Sequence, residues 1–197
     1  MAKTVEFYFD VGSPAAYLAW TQIPKIAAQA GARLDYKPFL LGGVFQATGN
    51  KSPMEVPAKG RHMMTDLERH AQRYGVPIVS NENFPINTLA LTRMITGLQM
   101  REPERMNAFV DAAYRAIWAE GKNMNDPAVV AAELQSAGFD PAAMMALAAD
   151  PQVKEQLKSV TQNAVARGVF GAPTFFVGDH MYWGQDRLDF VQEAIRK

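Results

Sequence analysis

The sequence predicts an α/β fold in which helices cover one small sheet and a helical block is inserted between its strands. Three observations lead to this prediction. A β-branched and aromatic segment near the start precedes a helical pattern and a second strand-like segment. Residues from about 55 to about 167 show helical patterns and almost no strand pattern. Strand character then returns at Thr174–Val177, where a hairpin and a final helix complete the chain.

The N-terminal segment has the pattern of a β-α-β unit. Val5–Phe9 is predicted to be a buried strand because β-branched and aromatic residues favour strands. Ser13 and Pro14 then start a helix, since serine is a good N-cap and proline fits the first helical position. The helix is predicted to end near Gly31, and Arg33–Phe39 forms the second strand. A helix that crosses between two strands implies that they are parallel.

The central block contains three similar helix starts, each an Asp-Pro pair, at Asp126-Pro127, Asp140-Pro141 and Asp150-Pro151. After it, Thr174–Val177 and His180–Trp183 are predicted to form a hairpin. A parallel pair joined by a hairpin, with helices around one small sheet, is the thioredoxin-like arrangement. We therefore predict a discontinuous thioredoxin-like domain at residues 1–54 and 168–197, with part of the preceding helix, and an inserted helical subdomain at 55–167.

Composition excludes several classes of function. The chain has 197 residues, 48% of them hydrophobic, and its 20 basic residues balance 20 acidic ones. No broad charge therefore attracts nucleic acid or an anionic membrane, and we expect neither as a partner. The absence of cysteine excludes disulfides, thiol nucleophiles and cysteine-bound zinc. No signal-peptide pattern is present, so the predicted location is cytoplasmic.

Ser13 is the first candidate for chemistry because it lies between the first strand and the first helix. Ligands bind at such turns in open α/β sheets, and thioredoxin-like oxidoreductases place a reactive cysteine there. An alcohol is not redox-active, but it can donate a hydrogen bond to an anion such as the thiolate of a ligand. The alternative is that Ser13 only caps the helix.

Two further segments have alternative interpretations. The Ala172-Pro173 bond precedes a strand, so Pro173 is either the start of an edge strand or a cis proline. A cis bond would expose the backbone of Ala172 to an extended peptide-like ligand. Asp186 is either an N-cap or a partner for the ammonium group of a ligand.

The remaining candidates are apolar or imidazole side chains. Phe45, Phe84 and Trp118 either line an apolar pocket or belong to the core. The histidines do not have metal-ligand spacing, so no metal site is predicted. A G-x-S-x-G motif is also absent, which argues against serine-hydrolase chemistry.

Several motifs together resemble the 2-hydroxychromene-2-carboxylate isomerases, which are grouped with the kappa-class glutathione transferases and the DsbA-like thioredoxin proteins. The resemblance spans nearly the whole chain and depends on the order and spacing of its motifs. These are Phe7-Tyr8-Phe9-Asp10 with Ser13-Pro14, Gly49-Asn50-Lys51-Ser52-Pro53, Asp66-Leu67, Tyr74-Gly75-Val76-Pro77, Trp118-Ala119-Glu120-Gly121, residues 170–178 and residues 183–188.

The resemblance implies a glutathione-dependent enzyme that is usually a homodimer and acts on a small aromatic substrate. Ser13 would hold the glutathione sulfur as a thiolate, and Asn50 would help to fix the tripeptide. Ala172, before a cis Pro173, would pair with the cysteinyl part. The γ-glutamyl end would be bound by Trp183, Gly184, Gln185 and Asp186. In such isomerases the thiolate adds to the ring-opened substrate, permits rotation, and leaves trans-o-hydroxybenzylidenepyruvate and free glutathione.

The chain departs from the naphthalene-pathway isomerases where basic residues would meet the substrate carboxylate. Phe45, Glu55 and Val56 occupy those positions. Lys51, Lys59 and Arg61 lie nearby as candidate substitutes.

Two other functions remain open. A transferase similar to the kappa class would use the same thiolate but release a conjugate. A non-catalytic thioredoxin-like module would bind a peptide or a protein beside Pro173.

Overall fold

The sheet has four strands in the order β2-β1-β3-β4, in a computed structural model that describes residues 2–196. The strands are β1 (Thr4–Phe9), β2 (Arg33–Pro38), β3 (Thr174–Val177) and β4 (His180–Trp183). β1 pairs in parallel with β2, while the β1–β3 and β3–β4 pairs are antiparallel. The predicted β-α-β unit and the hairpin are therefore confirmed. The outermost ends of the predicted domain, residues 1 and 197, lie outside the described residues.

Nine α-helices are present in the described part of the chain. They are α1 (Pro14–Gln29), α2 (Leu41–Thr48), α3 (Pro57–Tyr74), α4 (Leu89–Arg101), α5 (Pro103–Tyr114), α6 (Pro127–Ser136), α7 (Pro141–Ala149), α8 (Pro151–Ala166) and α9 (Leu188–Arg196). Short 3-10 turns occupy Pro53–Glu55 and Gln185–Arg187, and a π-helical turn at Arg115–Ala119 follows α5.

The three Asp-Pro pairs start α6, α7 and α8 as predicted. In each helix the aspartate carboxylate accepts a hydrogen bond from the backbone N–H two residues later, and the proline occupies the first turn. A proline at this position loses no helical hydrogen bond, and the carboxylate satisfies a free N–H. Local chemistry therefore sets these three helix starts.

Helix α2 was not predicted. It contains Gly42 and Gly43, which weaken a helix, and its N-cap Leu40 makes no side-chain capping bond. Its first N–H groups are instead bound by distant residues: the Leu40 N–H donates to Thr161 Oγ1 at 3.1 Å and the Leu41 N–H to Asp10 Oδ2 at 2.8 Å. Tertiary contacts therefore support this helix, and a local pattern does not show them.

Strand β1 is buried on both faces of the sheet. Val5, Phe7 and Phe9 point into the larger hydrophobic cluster, where Phe7 stacks on Phe175 with a centroid distance of 4.9 Å. Tyr8 points the other way, into a smaller cluster with Val44 of α2 and parts of α8. Helices thus cover both sides of the strand, as in other sheets with parallel pairs.

The larger cluster includes residues of the sheet, of α1 and α9, and of helices α3 to α7. The boundaries that we predict for an inserted subdomain at 55–167 stay a prediction. Of the helices at residues 2–196, none is long and apolar enough to cross a bilayer.

The register of the sheet brings two loops together. Tyr8, near the end of β1, pairs with Thr174 at the start of β3. The turn after β1, which contains Ser13, therefore lies next to the loop before β3, which contains Ala172 and Pro173.

Candidate functional site

Ser13 connects the start of α1 to the loop before β3. It is the N-cap of α1, and its Oγ accepts a hydrogen bond from the Ala16 N–H at 3.1 Å. The same hydroxyl donates to the carbonyl oxygen of Ala172 at 3.0 Å. The N–H of Ala15, the residue before Ala16, has no hydrogen-bond partner within residues 2–196. A hydroxyl, a free N–H and the positive end of a helix dipole therefore meet at one point.

Ser13 opens onto a cleft with a volume of about 820 Å³, a size that suits a small-molecule ligand. Segments distant in sequence form its walls. They are the β1–α1 turn, α2 with the loop that follows, part of α3, residues 84–88, residues 171 and 172, and residues 183–186. Among the predicted site residues, the cleft contains Ser13, Phe45, Asn50, Phe84, Ala172, Trp183, Gly184, Gln185 and Asp186.

Asn50 connects two of these walls. Its Nδ2 donates to the carbonyl oxygen of Phe170 at 2.8 Å, and its Oδ1 accepts from the Lys51 N–H at 2.9 Å. The side chain therefore ties the loop after α2 to the segment that leads into Ala172. It also fixes the backbone of Lys51 at the rim of the cleft.

The peptide bond between Ala172 and Pro173 is cis. The Ala172 N–H has no partner among the residues that the structure describes, so it is available to a ligand in the cleft. Pro173 lies buried behind it and does not line the cleft; its carbonyl oxygen accepts from the Gly184 N–H at 3.0 Å. This bond holds residues 183–186 beside Ala172.

Two glycines leave room for neighbouring side chains: Trp183 lies close to Gly171, and Asp186 lies close to Gly184. The Trp183 indole packs at a tilt against the Phe170 ring, with 5.0 Å between centroids, and a Cβ on Gly171 would lie 2.6 Å from its Nε1. Gly184 has a φ of 104°, and a Cβ there would lie 2.4 Å from Asp186 Oδ1. The glycines therefore shape this wall, with Asp186 exposed and ion-paired to Arg187.

Asp10 is a residue of the cleft that the sequence analysis did not single out. Its side chain is buried, and its carboxylate accepts hydrogen bonds from the Gly12 N–H at 2.9 Å and from the Leu41 N–H at 2.8 Å. Burial raises the pKa of the carboxyl above its ordinary value, although these two N–H groups and the Thr88 hydroxyl oppose the shift. An acidic residue directly after a run of buried strand residues was the signal available in the sequence.

The predicted aromatic pocket requires one correction. Phe45 and Phe84 line the cleft, but Trp118 does not. Trp118 is only 2% exposed and lies in the π-helical turn, where its Nε1 donates to the carbonyl oxygen of Val11 at 2.8 Å. The indole N–H needs a buried partner, and the Val11 carbonyl supplies it from behind the β1–α1 turn. The Trp118 side chain therefore supports the backbone of the β1–α1 turn and does not face the cleft.

The charged lining of the cleft is mostly acidic. Asp10, Glu55, Asp66 and Asp186 line it together with a single cation, Lys51, among residues 2–196. No cluster of three or more metal-binding side chains occurs in that part of the chain.

Comparison with known proteins identifies the family. The model of the DsbA-like thioredoxin domain matches residues 4–196. This chain belongs to the DsbA-like thioredoxin family. The predicted fold class is thereby confirmed.

Relatives within the DsbA-like thioredoxin family include enzymes that resemble this chain along its whole length. It is 36% identical to the 2-hydroxychromene-2-carboxylate isomerase of Sphingobium xenophagum, over 99% of each protein. It is 27% identical to glutathione S-transferase kappa 1 of Homo sapiens, over 99% of this chain and 92% of that protein. A solved 2-hydroxychromene-2-carboxylate isomerase superimposes with a TM-score of 0.85 at 32% identity, covering 98% of this chain and 94% of that one. The resemblance inferred from the motifs is thereby confirmed.

Proposed function

We propose that this chain is a glutathione-dependent isomerase that interconverts 2-hydroxychromene-2-carboxylate and trans-o-hydroxybenzylidenepyruvate. The observation that carries the proposal is the position of Ser13. Its hydroxyl lies at the start of α1, bonded to Ala172, in a cleft that also contains Trp183–Asp186. The relative named as an isomerase supports the reaction, and the relative named as a glutathione transferase supports the use of glutathione.

The donors and acceptors of the cleft fit glutathione. Its peptide backbone needs a donor and an acceptor, and Ala172 has a free N–H and a carbonyl oxygen. Its ammonium group needs a carboxylate, which Asp186 provides at the exposed end of the cleft. Asn50 holds the loop after α2 against the segment that leads into Ala172. Pro173 and Gly184 keep these groups in place through their mutual backbone hydrogen bond.

Bound glutathione would supply the sulfur nucleophile that makes the substrate double bond rotatable and is then released unchanged. Ser13 would donate its hydroxyl proton toward the sulfur, with the Ala15 N–H and the dipole of α1 favouring its anionic form. In the structure that proton goes to the Ala172 carbonyl oxygen, so the hydroxyl must rotate to make the new bond. Ala172 would then accept from the ligand backbone in exchange.

The aromatic part of the substrate would pack against Phe45 and Phe84, which are among the apolar residues that line the cleft. We also propose that the enzyme is a cytoplasmic homodimer, as the family resemblance implies. Size-exclusion chromatography with light scattering would test the dimer.

The central experiment compares the wild type with Ser13→Ala in glutathione binding and in turnover. We expect the ultraviolet absorbance of bound thiolate to be lost in Ser13→Ala. We also expect kcat to fall about 100-fold or more, the usual cost of one donor to a developing anion. Ser159→Ala is the matched control, because Ser159 is exposed on α8 and outside the cleft.

Product analysis separates the alternatives. An isomerase leaves the glutathione concentration unchanged, whereas a transferase similar to the kappa class consumes it in a conjugate. If neither protein binds glutathione, the proposal is wrong, and a non-catalytic module that binds a peptide beside Pro173 becomes the better account.

A further inference from the structure

We infer that Lys51 is the residue that binds the carboxylate of the aromatic substrate. This inference rests on the function proposed above, because that function supplies a substrate with a carboxylate. Lys51 is the single cation among the described residues that line the cleft, and four acidic side chains line it as well. A substrate carboxylate that enters such a cleft needs a cation, because the acidic side chains repel it.

The backbone of Lys51 is held in place for this role. Asn50 Oδ1 accepts from the Lys51 N–H at 2.9 Å, while Asn50 Nδ2 donates to the Phe170 carbonyl oxygen, two residues before Ala172. The base of the lysine is therefore fixed near Ala172. Its four-carbon stem leaves the ammonium group free to meet a carboxylate at the rim.

The ammonium group of Lys51 has a weak partner that a substrate can displace. Its Nζ lies 3.9 Å from Glu55 Oε2, and the two side chains are 77% and 56% exposed. An exposed ion pair at this distance contributes little stability. Glu55 therefore competes with the substrate for Lys51 without holding it tightly.

The other acidic groups of the cleft do not compete for Lys51. Asp10 accepts hydrogen bonds from backbone N–H groups, Asp66 lies near Arg69 and His70, and Asp186 pairs with Arg187.

The other two basic candidates, Lys59 and Arg61, are exposed on α3 and do not line the cleft. Lys51 is thus the one of the three that lines the cleft in which the substrate would bind.

The test measures KM and kcat for 2-hydroxychromene-2-carboxylate at saturating glutathione. We expect Lys51→Met to raise KM about tenfold with little change in kcat, which is the loss of one hydrogen bond to a charged group. Glu55→Gln should lower KM by about two- to threefold, because it releases the lysine. Lys59→Met is the matched control, and its KM should equal that of the wild type.

A binding measurement keeps this inference separate from the proposed function. Quenching of tryptophan fluorescence by trans-o-hydroxybenzylidenepyruvate and by its methyl ester needs no turnover. The wild type should bind the acid more tightly than the ester, and Lys51→Met should bind both equally. Absence of turnover in the wild type would count against the proposed function alone, since this binding difference would persist.

Three results would overturn the inference. The first is equal binding of the acid by the wild type and Lys51→Met, and the second is no binding of the acid by the wild type. The third is a loss in Lys51→Met that appears in the Kd of glutathione while KM for the substrate is unchanged. In that case Lys51 binds a carboxylate of glutathione and not that of the substrate.

Discussion

The buried carboxylate of Asp10 connects three parts of the cleft wall. It accepts from the backbone of the β1–α1 turn at Gly12 and from the first turn of α2 at Leu41, and it also bonds Thr88 before α4. These contacts compensate for part of the cost of burying the group. Desolvation remains the largest effect on its pKa, which is raised.

The raised pKa of Asp10 predicts a pH dependence of stability. A carboxyl whose pKa is higher in the folded state stabilises the protein fully below its ordinary pKa of about 4. This contribution is lost as the pH rises through the folded-state pKa. The free energy of unfolding of the wild type relative to Asp10→Asn should therefore decrease as the pH rises above 4. The decrease is about 1.4 kcal/mol for each unit by which the pKa is raised.

Urea unfolding of both proteins between pH 4 and pH 8 measures this difference, in which the titration of all other groups cancels. A difference that stays constant or grows with pH would contradict the prediction.

Single residues also show which features of the cleft could be predicted from the sequence and which could not. The sequence could single out Ser13, which lines the cleft, because a capping serine followed by proline at a strand end is a local pattern. The partners of Asp10 and Trp118 were not found, because Leu41 and Val11 contribute backbone atoms that no residue type identifies. Phe45 and Trp118 are both aromatic, and only the fold determines that one faces the cleft while the other faces a carbonyl.

The π-helical turn at Arg115–Ala119 supports the loop that carries Ser13. It holds Trp118 behind the β1–α1 turn, with the indole N–H on the Val11 carbonyl oxygen. Asn81 fixes the same turn from the other side, since its Nδ2 donates to the carbonyl oxygens of Ile117 and Lys122. π-helical turns are rare and often occur at functional sites. Here the turn positions an element of the site without entering it.

Trp118→Phe should remove this support while keeping an aromatic ring in the core. The Val11 carbonyl would lose its donor, so we expect the free energy of unfolding to fall by about 1–3 kcal/mol. Circular dichroism during urea unfolding is the suitable measurement, because the substitution changes tryptophan fluorescence. Trp183→Phe is the matched control: Trp183 is 49% exposed, and its loss should cost less than about 0.5 kcal/mol. Equal losses in the two variants would show that the hydrogen bond is unimportant.

The contrast between α2 and α6 to α8 shows what a local pattern can predict at the scale of elements. The last three helices start with their own aspartate caps and were predicted from them. The N-terminus of α2 depends on Asp10 and Thr161, which are distant in sequence. Its two glycines also weaken the helical pattern in the sequence, because glycine is a poor helix former.

At the scale of the whole molecule, the cleft joins both ends of the chain. Ser13 and Asn50 come from the N-terminal part, and residues 171–172 and 183–186 come from the C-terminal part. A ligand that contacts both parts binds only the folded protein. Its binding therefore stabilises the fold by mass action.

Glutathione should accordingly raise the melting temperature in a concentration-dependent way. At about 100 times its Kd the expected stabilisation is about 2.7 kcal/mol, which corresponds to roughly 5–10 °C for a chain of this length. Differential scanning fluorimetry measures the shift. S-methylglutathione is the control ligand, and its smaller effect would isolate the contribution of the thiolate. A melting temperature that does not depend on glutathione would contradict the prediction.

The sheet topology also has a consequence for synthesis of the protein. β1 lies between β2, which the ribosome makes shortly afterwards, and β3, which follows the whole helical block. Until β3 emerges, one edge of β1 has no partner, and the strand carries Val5, Phe7 and Phe9. Open strand edges with apolar side chains promote aggregation. The nascent chain is therefore most in need of a chaperone while α3 to α8 are being translated.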